Sequence, residues 1–177
     1  MSMDYFIKAD IDTDCDDDFP ESLSNFLEQY PVSDFQGEAR QISKLLNINL
    51  DPFFVYGTGY EGPEEEQKFW QDLAAFEALV DSFLSKIAEN KEYYKQVRYN
   101  SAADSLREQM HDLLLHKKDE ESLARAFQLL HESPDVSFPT DRGYLSSNRI
   151  VDDLNALKAL LNCYKHAGAT KIMLSYG

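Results

Sequence analysis

The sequence has little of what marks a disulfide-rich, membrane or exported protein. Its only two cysteines, Cys15 and Cys163, are too few for a disulfide framework or a zinc site. No apolar run approaches the roughly 18 residues that a membrane helix needs. Residues 1–12 lack both the basic region and the apolar core of a signal peptide. These absences predict a soluble protein of the cytoplasm with no membrane contact.

The composition is that of a folded chain. Of its 177 residues, 43% are hydrophobic and 12% are aromatic, which is enough to build a core. A chain of this length buries roughly 70% of its unfolded surface. Intrinsic disorder is therefore not expected, in spite of a net charge of −15. The length predicts one globular domain over residues 1–177.

Negative charge is concentrated in the first half of the chain. Residues 1–90 hold 20 acidic and 5 basic residues, whereas residues 91–177 hold 12 of each. The acidic residues form two clusters, first Asp10, Asp12, Asp14, Asp16, Asp17, Asp18 and Glu21, then Glu61, Glu64, Glu65 and Glu66. Such a field repels phosphate backbones, so no nucleic acid is expected as a ligand. It favours a basic protein partner or cations, and the alternative is a surface that serves solubility alone.

Hydrophobic spacing predicts a predominantly helical α+β fold. Short strands are expected at residues 4–9, 53–56 and 171–176, and the strand at 53–56 is expected to be buried. Helices are expected at residues 20–30, 34–46, 63–90 and 147–167, with two more that open at Ser101 and Asp119, whereas residues 133–145 form a polar loop. Because chain ends commonly pair, we expect a helical bundle with a small sheet of two or three strands that includes both terminal segments.

Three details of the helices can be checked directly. The helix over 63–90 is expected to be continuous and to bury a stripe of Phe69, Leu73, Phe76, Val80, Phe83, Leu84 and Ile87. The helix that Asp119 caps is expected to turn Leu123, Phe127 and Leu130 inward. Cys163 is expected to be a buried free thiol beside His166.

The first acidic cluster matches the spacing of a calcium-binding loop. Asp10 as the first position places Asp12, Asp14, Asp16, Asp18 and Glu21 at the third, fifth, seventh, ninth and twelfth positions. Against this, Cys15 stands where the template has glycine, Asp17 replaces an apolar residue, and a strand precedes the loop. A calcium site and a merely solvated loop both stay open, and no other cofactor is expected.

Catalytic patterns are absent from the sequence. Glu108 and His111 form half of a di-iron motif, and the next helix has Gln128 in place of the second carboxylate. The glycine-rich stretch 57–62 lacks the lysine of a phosphate-binding loop. We therefore expect no catalytic residues and no enzymatic activity. The expected partner-binding residues are the two acidic clusters with neighbouring aromatic anchors, namely Asp16, Asp17, Asp18, Tyr60, Glu61, Glu64, Glu65, Glu66 and Trp70.

In size, acidity, helical content and lack of catalytic motifs, the chain resembles the immunity proteins that bacteria keep against secreted toxins, many of which are nucleases. The resemblance covers general character and no residue pattern. It implies an intracellular protein that neutralises a basic partner such as a toxin domain. A calcium-binding module built on Asp10–Glu21 and an enzyme with a dispersed active site are the alternatives.

Overall fold

A small mixed sheet joins the two ends of the chain in the computed structural model, which describes residues 5–28, 37–57, 62–98, 109, 112–113, 119–132 and 142–176. Its strands are β1 (Tyr5–Ala9), β2 (Tyr56–Gly57), β3 (Trp70–Asp72) and β4 (Lys171–Tyr176). The central strand is β4. It pairs antiparallel with β1 on one side, and on the other side it pairs parallel with β2 and antiparallel with β3. The predicted pairing of the terminal segments is confirmed.

Helices make up most of the described residues, and the predicted α+β class is confirmed. Short 3-10 turns lie at Asp51–Phe54, Gln67–Phe69 and Tyr93–Gln96. The α-helices are α1 (Glu21–Glu28), α2 (Glu38–Leu45), α3 (Pro63–Glu66), α4 (Leu73–Glu89), α5 (Glu120–Glu132), α6 (Arg142–Ser146) and α7 (Arg149–Ala167).

The main core lies between the sheet and the two longest helices, α4 and α7. Ile7 and Leu174 face this core from β1 and β4 and are fully buried. Two ion pairs cross between the helices at the surface, Lys158 with Asp81 and Lys165 with the half-buried Glu77. Surface pairs of this kind add at most about 1 kcal/mol, so apolar packing holds the helices together. In the part of the chain that the structure describes, no helix is both long and apolar enough to cross a bilayer.

The continuous helix predicted over 63–90 is wrong. The chain leaves α3 through a 3-10 turn, becomes extended at Trp70 (φ −70°, ψ 127°) and runs beside β4 as β3 before α4 begins. Asp72 starts the new helix, because its carboxylate accepts the backbone N–H of Ala75 at 2.7 Å. Phe69, predicted to be buried, is only half-buried.

The strand predicted at residues 53–56 is largely replaced by a turn. Residues Asp51–Phe54 form a 3-10 turn with Pro52 in its first positions, and only Tyr56–Gly57 pair with β4. Proline fixes a helical φ and has no N–H for a sheet ladder. The predicted burial of Phe53 is nevertheless confirmed, since its ring packs 5.0 Å from that of Phe76.

The predicted orientation of α5 is wrong. Leu123 is 41% exposed and Phe127 is 63% exposed, whereas Ala126 and Leu129 on the adjoining face are buried. The side chain of Leu130 lies outside the described residues. The predicted loop at 133–145 is helical from residue 142 onward, and its earlier part, like most of the helix predicted after Ser101, lies outside the described residues.

Candidate functional site

The first acidic cluster lies in a loop, residues 10–18, that is fastened to the sheet. The Asp10 carboxylate accepts the backbone N–H of Thr170 at 2.9 Å and its hydroxyl at 2.7 Å. The hydroxyl contact holds the pKa of Asp10 below its ordinary value. At the far end of the loop, the backbone N–H of Ile7 donates to the carbonyl of Asp17 at 3.1 Å. The loop is therefore held against β1 and the start of β4.

Tyr164 supports the loop from beneath. Its hydroxyl lies 2.9 Å from the carbonyl oxygen of Ile7 and 2.8 Å from that of Asp16. Burial, followed by the negative charges of Asp17 and Asp16, raises the pKa of Tyr164 to about 12. The hydroxyl therefore stays protonated and able to donate throughout the neutral range.

A disulfide bond ties the middle of the loop to α7. Cys15 and Cys163 are bonded, with their Cα atoms 6.0 Å apart, a normal separation for a disulfide. The prediction of a buried free thiol at Cys163 is wrong, since the residue is both bonded and exposed. Two cysteines allow only one internal pairing, but nothing in the sequence indicates that residues 148 positions apart meet.

Within the loop, three consecutive carboxylates come close together. The Asp16 carboxylate accepts the backbone N–H groups of Asp17 and Asp18 at 2.9 and 3.2 Å, which folds the chain into a tight turn. One oxygen from each of the three side chains lies within 4.8 Å of the others, and all three residues are exposed. We call these residues the Asp cluster.

The structure does not gather the full calcium-ligand set that the spacing predicts. Among the described residues, the Asp cluster is the only group of three or more His, Cys, Asp or Glu side chains close enough to share a metal. The Asp10 carboxylate is hydrogen-bonded to Thr170 instead. Asp12, Asp14 and Glu21 are exposed and lie outside the cluster. Calcium binding by this loop stays a prediction.

Two double variants would show which carboxylates bind calcium. If the predicted loop binds it, a concentration tenfold above Kd stabilises the protein by about 1.4 kcal/mol, which raises Tm by roughly 3–6 °C for a chain of this size. Asp14→Asn/Glu21→Gln and Asp16→Asn/Asp18→Asn should then both abolish the shift in a thermal melt. Loss in the second variant alone would assign binding to the Asp cluster. If millimolar calcium did not change Tm, the loop would be an acidic surface loop without a calcium site.

The second acidic cluster lies at the start of the segment that becomes β3. Glu64, Glu65 and Glu66, which we call the Glu cluster, form the first turn of α3, where carboxylates complement the free N–H groups of a helix. Glu64 and Glu65 are exposed and Glu66 is half-buried. The two other residues predicted for this part of the site, Tyr60 and Glu61, lie outside the described residues.

Trp70 lies on the face of the sheet that is turned away from the main core. Tyr5 and Ile7 of β1 point into the core, so Phe6 and Lys8 point outward. Because Lys8 and Trp70 are both register partners of Met173, the three side chains share this outer face. Met173 is 1% exposed and is not part of the main core cluster, and Ser175 on the same face is 7% exposed, so the centre of the outer face is covered.

The Asp cluster lies at one edge of this outer face. Asp18 forms an isolated antiparallel bridge with Phe6, on the side of β1 that does not pair with β4. The Glu cluster lies in α3, which precedes β3 in the chain. The described part of the predicted partner-binding set is therefore divided among the edge of β1, the short helix α3 and Trp70 of β3.

A further pair with shifted pKa values has a structural role. The Tyr144 hydroxyl donates to the Asp153 carboxylate at 2.9 Å, and burial raises the pKa of both groups. Tyr144 is buried against Phe26, with ring centroids 5.7 Å apart. The hydrogen bond fastens α6 to α7 within the core, and the burial of this structural pair accounts for the raised pKa values without any catalytic role.

Comparisons with protein-family models, with curated proteins and with solved structures find no match to this chain. Its function is therefore argued from the chemistry of the site itself.

Proposed function

We propose that this chain is a non-enzymatic binding protein that neutralises a basic protein partner, in the manner of a bacterial immunity protein. The observation that supports the proposal best is the gathering of the three exposed carboxylates of the Asp cluster beside one edge of the sheet. Solubility would be served equally well by carboxylates spread over the whole surface. Carboxylates gathered in one place instead attract a partner of opposite charge to that place.

The fixed geometry of the loop supports the same function. The hydrogen bonds of Asp10 and Tyr164 hold the Asp cluster in one place. A partner that binds an ordered loop does not have to order it first, and ordering a side chain costs about 0.5–1.5 kcal/mol. A loop needed only for its charge gains nothing from such anchoring.

The proposal is tested by the rate at which the chain binds its partner. The partner of an immunity-type protein is sought first as the product of the neighbouring gene. That product is expected to be basic. Neutralising the Asp cluster (Asp16→Asn/Asp17→Asn/Asp18→Asn) should slow association about tenfold at low salt and flatten its salt dependence, with little change in dissociation. The corresponding Gln triple variant of the Glu cluster should do the same. Stopped-flow fluorescence at low and physiological ionic strength measures both rates.

A charge-matched control separates local steering from total charge. Glu120→Gln/Glu121→Gln/Asp152→Asn also removes three exposed carboxylates, but from α5 and α7. It should leave most of the association rate intact. Equal rates for wild type and both cluster variants would mean that the acidic half serves solubility and that the binding surface lies elsewhere.

A cytoplasmic location is part of the same proposal. It can be tested by measuring whether Cys15 and Cys163 are bonded or reduced in the cell. The cytoplasm keeps most protein thiols reduced, whereas disulfides persist in oxidising compartments. In the cytoplasm, Cys15 and Cys163 would therefore carry free thiols. Rapid alkylation at cell lysis followed by mass spectrometry should find both thiols modified, and an unmodified bonded pair would instead place the chain in an oxidising compartment.

A further inference from the structure

A cleft of about 480 Å³ lies between the C-terminal half of α4, the 3-10 turn at Tyr93–Gln96 and the residues that join α6 to α7. Small-molecule sites have volumes of roughly 300–1,000 Å³ and mostly apolar walls. The wall of this cleft is formed chiefly by Leu84, Ile87, Leu145 and Val151. Leu84 and Val151 pack against the core but are only half-buried, so part of each side chain is open to the cleft.

Lys91 places a positive charge at the rim of the cleft. It is exposed and lines both the cleft and a neighbouring groove that Glu89 and Glu92 also line. Those two carboxylates form ion pairs with other lysines, Glu89 with Lys86 and Glu92 with Lys95. Among the residues that the structure describes, no carboxylate is paired with Lys91 and none lines the cleft. The rim therefore attracts an anionic group and repels a cationic one.

The N-terminal end of α7 adds to the same preference. Asn148 is the N-cap residue of α7 and lines the cleft, but its side chain accepts no backbone N–H of the helix. Asparagine at this position normally caps the helix. Its amide group is thus left to donate to a ligand, and the partial positive charge of the helix end also favours an anion.

We infer that this cleft binds a small linear carboxylate with an aliphatic chain, such as a medium-chain fatty acid. The chain lies against Leu84, Ile87 and Val151, and the carboxylate meets Lys91 at the rim. Because the protein has a net charge of −15, its surface as a whole repels carboxylates and attracts cations. A preference for a carboxylate therefore has to arise locally. This ligand is a different molecule from the basic protein partner proposed above, and it binds away from the Asp and Glu clusters.

Three ligands with the same eight-carbon chain and different head groups test the inference. They are octanoate, octanol and octyltrimethylammonium, each used below its critical micelle concentration. A titration followed by methyl-resolved NMR measures affinity and location together. Octanoate should bind about tenfold more tightly than octanol, because only octanoate forms a charged hydrogen bond with Lys91. Octyltrimethylammonium should bind most weakly.

Variants with matched controls identify the groups responsible. Lys91→Gln should lower the affinity for octanoate about tenfold and leave that for octanol unchanged. Lys8→Gln removes the same charge from an exposed position on β1 and should change neither affinity. Ala88 lines the cleft, so Ala88→Phe should weaken the binding of octanoate and octanol alike. Ala78→Phe adds the same ring at an exposed position of α4 outside the cleft and should have no effect.

The position of the shifted resonances decides whether the cleft is the site. The methyl signals of Leu84, Ile87 and Val151 should move on titration, and those of Ile7 in the main core should not. Equal affinity for octanoate and octanol, or a preference that survives Lys91→Gln, would overturn the inference. Tightest binding of octyltrimethylammonium would also overturn it, since the acidic surface would then be in control. The absence of any shift at millimolar ligand would show that the cleft is not a binding site.

Discussion

The Cys163→Ser variant is expected to unfold at a clearly lower urea concentration than the oxidised wild type. The disulfide joins residues 148 positions apart and so encloses most of the chain. Removing a constraint on so long a loop increases the entropy of the unfolded state. The typical loss is about 2–4 kcal/mol, and the chain-entropy estimate for a loop of this length is about 5 kcal/mol. With a urea dependence of about 2 kcal/mol per molar, the midpoint should fall by roughly 1–2 M.

Two controls show that the bond itself is responsible. Cys163 is exposed, so its substitution by serine removes little packing. Cys15 is half-buried and packs against the core. The Cys15→Ala variant removes the same disulfide from its other end. Both variants and the reduced wild type should unfold at similar urea concentrations. If a reductant left the wild-type midpoint unchanged, the bond would not be constraining the protein.

The local consequence of opening the bond is expected to be smaller than the global one. Asp10 remains hydrogen-bonded to Thr170, and Tyr164 remains within reach of the Asp16 carbonyl. Hydrogen exchange of the Ile7 amide, which donates to Asp17 in the loop, should become faster without losing all protection. Complete loss of protection would show that the disulfide alone positions the loop.

Elements with local signals were predictable from the sequence. The alternation over residues 5–9 gave β1. Gly168 marked the end of α7, where it has the left-handed conformation that glycine adopts most easily (φ 96°). The acidic clusters were equally visible. The placement of the Asp cluster beside β1 was not, because it depends on the bridge between Phe6 and Asp18.

Where the prediction failed, distant contacts decided the structure. The spacing of Phe69 and Leu73 suits a helix, but residues 70–72 pair with β4 about 100 residues later in the chain. Asp72 could have suggested a helix start, since aspartate is a favoured N-cap. The disulfide is a contact of the same distant kind, and local patterns carry no information about it.

Two phenylalanines that the sequence predicted to be buried differ strongly in exposure, because α5 turns one of them outward. The sequence predicted burial for both Phe53 and Phe127, yet Phe53 is 0% exposed and Phe127 is 63% exposed. The ring of Phe53 packs against Phe76 between the 51–54 turn and α4. Truncating a buried phenylalanine loses its transfer free energy and leaves a cavity.

Phe53→Ala is therefore expected to lower the free energy of unfolding by about 3–5 kcal/mol, and Phe127→Ala by no more than about 0.5 kcal/mol. Urea unfolding followed by circular dichroism measures both under the same conditions, with the disulfide intact. The two variants delete the same atoms, so their difference reports burial alone. A loss above about 2 kcal/mol in Phe127→Ala would show that this face of α5 is packed inward in solution, as the spacing of Leu123 and Phe127 had indicated.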